Sequence, residues 1–124
     1  MAGELVPLVM IPRFTTYAAT GTYSTIAMDV TEYQNAILNV WRGTAVGGGG
    51  SPYAIKFEES TDQVSWSVCS VTPSGGPNYD PGADSEAQYV AALKKRWFRV
   101  SVILGASGPV VMSWAVGFLE QRER

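Results

Sequence analysis

The sequence predicts an all-β protein: a single antiparallel β-sandwich or jelly-roll domain of about seven to eight strands, with an extended N-terminal arm. Two observations carry this. Apolar residues alternate with a period of two along most of the chain. Clusters of Gly, Pro, Asn and Asp break the alternation roughly every 8–12 residues. No strand–helix–strand alternation appears, so a parallel α/β fold is not expected. With 124 residues, 46% of them hydrophobic and 16% charged, the chain has the size of one domain and enough apolar side chains for a core.

The elements follow in order. Residues 1–20 read as the arm and residues 21–124 as the sandwich. Pro7 and Pro12 lack an N–H and push the residues before them towards extended backbone, so the apolar run "LVPLVMIPRF" suits an extended segment better than a helix. Left bare, such a segment is an aggregation hazard, so it packs either on its own domain or on a neighbour. "YSTIAMDV" is the next strand, ending near Asp29. "NAILNVWRG" sets Ala36, Leu38 and Val40 against Ile37, Asn39 and Trp41, and Gly43 ends it. "VGGGGSP" is a mobile connection between strands.

"FEESTDQVSWS" lies between the next two strands, "YAIKFEES" and "SWSVCSV". Ser60 and Asp62 are suited to bond their own backbone in a turn, with Phe57 and Trp66 packed inward. "TPSGGPNYDPGADSE" is a long surface loop. "AQYVAALKK" reads as a short strand; Ser85 and Gln88 leave open a capped helix. "RWFRVSVIL" places Phe98, Val100, Val102 and Leu104 on one face. After the "GASG" turn, "PVVMSWAVGFLE" places Val110, Met112, Trp114, Val116 and Phe118 opposite Ser113, Ala115 and Gly117. These last two runs are expected to form a closing hairpin.

Composition excludes much chemistry. There is no histidine, so Ser-His-Asp and Cys-His machinery and His-containing zinc sites are out. A single cysteine, Cys69, allows no intrachain disulfide and is expected to pack in a strand. No phosphate-loop motif is present. Glu58 and Glu59 are neighbours in a strand and point to opposite faces, which argues against a paired-carboxylate site. Asp80 and Asp84 could in principle offer calcium oxygen ligands, but turn chemistry is the plainer reading. No catalytic residue, metal or cofactor is therefore expected. The net charge of −2 does not suit a nucleic-acid partner. The basic run Lys94-Lys95-Arg96 reads as a solvated turn. The N-terminus is expected to be neither a signal peptide nor a membrane span. Of the tryptophans Trp41, Trp66, Trp97 and Trp114, at least three are expected in the core, Trp97 being the best candidate for exposure.

The segments "FEESTDQVSWSVCSV", "LKKRWFRVSVIL" and "GPVVMSWAVGFLE" together resemble small structural β-proteins of tailed bacteriophages. The resemblance covers about residues 35–120. It implies a non-enzymatic virion component, assembled in the bacterial cytoplasm, and most nearly a head decoration (cement) protein. The implied partners are the major capsid protein or other virion proteins, in a homo-oligomer. A tail or neck protein, or a carbohydrate-binding module, are the alternatives. On this reading the arm makes the partner contacts through Leu5, Leu8, Ile11 and Phe14, with Arg13 as a polar clamp, and the sandwich folds without residues 1–17.

Overall fold

Period-two alternation requires a partner for each apolar face, and two packed sheets supply it. The computed structural model describes residues 4–47 and 49–122. It holds β1 (Leu5–Ala18), β2 (Gly21–Ser24), β3 (Met28–Asp29), β4 (Tyr33–Arg42), β5 (Tyr53–Ser60), β6 (Ser67–Val68), β7 (Ser70–Thr72), β8 (Ser85–Ala92), β9 (Trp97–Leu104) and β10 (Val110–Gln121). No helix occurs among the described residues. Sheet A runs β1-β10-β4-β8-β7, and sheet B runs β2-β9-β5-β6 with β3 also paired to β9; all pairings are antiparallel.

The order is that of a jelly roll. β2 and β3 act as one interrupted strand beside β9, and β7 is an added edge beside β8. Between the principal strands, every connection except the β5–β6 hairpin then passes from one sheet to the other. Two interlocked Greek keys produce this pattern.

The core is built from the expected alternations. Leu38 and Val40 of β4, Ile55 and Phe57 of β5, and Phe98, Val100 and Val102 of β9 are all buried between the sheets. Cys69 is buried as well, and burial pushes its thiol pKa up. One hydroxyl pair crosses the core: Tyr53 and Ser113 share a 2.8 Å hydrogen bond, and Ser113 Oγ also donates to the Trp41 carbonyl at 2.9 Å. Satisfied in this way, the polar atoms cost little to bury.

Several elements differ from their sequence reading. The arm is not detached: Leu5–Ala18 is the edge strand of sheet A, bonded along β10. Its first three residues lie outside the described ones. "YSTIAMDV" divides at Thr25, whose N–H donates to the Val100 carbonyl and whose hydroxyl accepts from the Val100 N–H. "SWSVCSV" divides at Cys69, so that β6 joins sheet B and β7 joins sheet A. The expected closing hairpin does not form. Both sides of β9 are taken, by β5 and by β2 with β3, so β10 crosses to sheet A. Of the two readings of "AQYVAALKK", the strand is the one adopted.

At Gly117 of β10 a Cβ would run into the Ile37 carbonyl of β4. Gly117→Ala is therefore expected to destabilise the fold by about 1–3 kcal/mol, as overpacking does; urea unfolding followed by fluorescence measures it. The arm carries a second expectation. Leu8, Met10 and Ile11 of β1 are core residues. Truncating any one such side chain typically costs about 2–5 kcal/mol. Deletion of residues 1–17 is thus expected to abolish the cooperative unfolding transition, in contrast to a dispensable arm.

Candidate functional site: the outer face of sheet A

A sheet with one face in water normally alternates apolar inward and polar outward. Sheet B follows it in part: its outer face carries Lys56, Glu58, Arg99 and Ser101 in register, together with Ile103 and the exposed Val68. There Glu58 Oε1 accepts from Ser101 Oγ at 2.6 Å and from Arg99 Nε at 3.1 Å.

Sheet A does not follow the rule. Its inner face on β10 holds Val111, Ser113, Ala115 and Leu119, all buried. The larger set, Val110, Met112, Trp114, Val116 and Phe118, faces outward. Cross-strand register sorts that face into rows over β1, β10, β4 and β8. One row is Val9–Val116–Asn39–Gln88 and the next is Pro7–Phe118–Ile37–Val90. Above them Trp114 pairs with Trp41, and Trp41 with Glu86. The two indoles stack at 4.3 Å between centroids, 16° from parallel.

A bulge completes the Trp row. Ile11 pairs with Ala115 and Thr15 with Ser113, so Pro12, Arg13 and Phe14 are extruded from the ladder. Phe14 sits at φ 67°, a left-handed conformation that bulky residues avoid. It meets Trp114 edge-on at 5.8 Å while staying 71% exposed. The Arg13 guanidinium lies 4.8 Å from the Trp114 ring centroid. Trp114 thus stands between Trp41 on the β4 side and Arg13 on the β1 side. Its Nε1 is buried without a hydrogen-bond partner. Beside this cluster a groove of about 610 Å³ opens over Pro7, Val9, Arg13, Val116 and Phe118.

The predicted arm contacts divide between the two faces of β1. Leu8 and Ile11 are 4% and 1% exposed and belong to the protein's own core. They cannot anchor a partner while the sheet is intact. Leu5, Arg13 and Phe14 are exposed and lie at the rim of the outer face. Sequence reasoning missed Trp41, Trp114, Met112 and Phe118. The expectation of at least three core tryptophans fails, because all four are only half-buried. Trp66, expected inward, lies on sheet B's outer side with Arg99 4.1 Å from its ring centroid.

The acidic candidates have structural uses. Glu59 points to the core side and accepts from the Lys94 N–H at 2.9 Å, opposite Glu58 as alternation requires. Asp80 binds Arg42 through two hydrogen bonds, of 2.7 and 3.0 Å. Asp84 accepts from the Thr44 N–H and hydroxyl. These two acids pin the 72–86 loop to the end of β4. No cluster of potential metal ligands occurs among the described residues. In the basic run, Arg96 pairs with Asp29 and Lys95 donates to Ser67.

No protein-family model matches the chain, and no curated protein or solved structure does so either.

The 60–65 turn is a closed hydrogen-bond unit. Ser60 Oγ accepts from the N–H groups of Asp62 and Gln63, and Asp62 Oδ1 accepts from those of Val64 and Ser65. These donors hold the Asp62 carboxyl below its ordinary value of 3.8, led by the Ser65 N–H. A carboxylate so held adds stability above its unfolded pKa and loses it as pH falls through the folded one. Asp62→Ala is expected to lower the melting temperature at neutral pH. The gap from wild type should close as pH drops below the ordinary carboxylate range, and thermal melts across that range measure it.

Proposed function

We propose that the protein is a non-enzymatic structural subunit of a bacteriophage virion, a head decoration protein that binds the lattice of the major capsid protein. The observation that carries the structural role is the second apolar face of sheet A. Isolated monomers rarely leave a contiguous apolar patch of more than a few hundred Å² in water. Here the patch holds Trp, Phe and Arg side chains of the kind that dominate interface energetics. The jelly roll is also an architecture shared by viral capsid and lectin domains. Its assignment to a virion rests on the resemblance of the 57–71, 93–104 and 108–120 segments to small phage β-proteins.

The carbohydrate-binding alternative loses support from the same face. A sugar platform needs a free indole face, and Trp114 is flanked by Trp41 and Arg13. A tail or neck subunit would use the same fold in rings.

Co-sedimentation tests the reading. The purified protein is expected to pellet with empty capsids of its own phage and to saturate at a fixed ratio to capsid subunits. Protein that stays in the supernatant, and forms rings or tubes by negative-stain microscopy, would instead place it in the tail or neck.

A further inference from the structure

We propose that the outer face of sheet A is covered by the same face of a second copy, in a two-fold dimer whose axis runs parallel to the strands between β10 and β4. The inference rests on the reading that this face is covered in an assembly, and it names the occupant.

Charge selects that occupant. Across the Trp row stand Arg13, Trp114, Trp41 and Glu86, from β1, β10, β4 and β8. Arg13 and Glu86 have opposite signs and lie at opposite ends. Neither forms an ion pair among the described residues. A two-fold along the strands reverses the row. Arg13 then faces Glu86 of the second copy, and Trp114 faces its Trp41. Symmetry forms each contact twice, as in any isologous interface.

The apolar rows obey the same operation. Phe118 comes over Ile37 of the second copy, and Pro7 over its Val90. In the row between, Asn39 comes over Val116 of the second copy and Gln88 over its Val9, with the two amides cross-strand neighbours within one copy. A two-fold perpendicular to the strands performs worse. Centred on the Val9–Val116–Asn39–Gln88 row, it sets Arg13 over Pro7 and Glu86 over Val90, leaving both charges desolvated and unpaired.

Edge-to-edge growth is disfavoured at β1, one of the two edges of sheet A, which carries Pro7, Pro12 and a bulge, all devices that block strand addition; the opposite edge, β7, is only three residues long. Stacking face on face leaves sheet B and the loops open to a capsid.

Sedimentation equilibrium on wild type, Arg13→Glu, Glu86→Arg and the double reversal tests the proposal, with melting curves to confirm that each variant is folded. Wild type is expected to be a dimer at micromolar concentration. Each single reversal should weaken dimerisation at least ~10-fold at low salt, and the double reversal should return to within ~3-fold of wild type. Phe118→Asp should be monomeric. A wild-type monomer at ~100 μM overturns the proposal, at a concentration where an interface of this class is populated. So does a dimer indifferent to the single reversals, or a double reversal as weak as the singles. The two readings fail separately: a charge-dependent dimer that ignores capsids removes the virion role alone, and a monomer that pellets with capsids removes the dimer alone.

Discussion

The close approach of β10 to β4 constrains the rest of sheet A. At Gly117 there is no room for even a methyl group against the Ile37 carbonyl. Along the same inner face, Ser113 and Ala115 are fully buried. Small residues at 113, 115 and 117 thus lie between the larger buried Val111 and Leu119 on the inner face of β10. Strand geometry then leaves no choice for the alternate positions, since a one-residue slip would reverse both faces. Met112, Trp114, Val116 and Phe118 must point outward. The apolar exterior of sheet A is the far side of a tightly packed core strand.

This explains which parts of the molecule could be read from the sequence. Alternation in "YAIKFEES" and "RWFRVSVIL" identified the core faces of β5 and β9 because Lys56, Glu58, Arg99 and Ser101 mark their other faces. The Ser60–Asp62 turn was legible because its bonding is local. From Val110 to Leu119 both faces of β10 are uncharged, and over that stretch period two says which residues share a face, not which face is buried. Two signals were available: Ser, Ala and Gly alternate with Val, Met, Trp and Phe, and Glu120 continues the larger set. The bulge at Pro12–Phe14 had only the second proline as a hint. The divisions at Thr25 and Cys69 depend on distant partners, Val100 and Phe57, which sequence periodicity does not encode.

The bulge joins fold to surface. A bulky residue in the left-handed region costs roughly 1–2 kcal/mol, so Phe14 holds that conformation only because its surroundings fix it. The fixing contacts are the ladder on either side and the Trp114 ring. In return, the extruded segment brings a cation and an aromatic edge onto the indole pair. Strain, exposure and an Arg–Trp–Trp stack in one place mark a contact surface more specifically than exposed apolar area does.

The two outer faces differ in character. Sheet B presents ion pairs and hydroxyls that are satisfied within the chain, and water is an adequate neighbour for them. Sheet A presents indole, phenyl and aliphatic groups, with Arg13 at one end of the Trp row and Glu86 at the other, neither in an ion pair among the described residues. An apolar face alone would accept many partners, since burial is non-directional. The two charges make it selective, because a partner that buries the face must answer Arg13 and Glu86 or bear the desolvation of both. A second copy answers both with residues the sequence already contains. A different partner would have to carry an acid and a base at the same separation across its own surface. On the proposed virion role, such selectivity determines which subunit surfaces meet before any lattice contact forms.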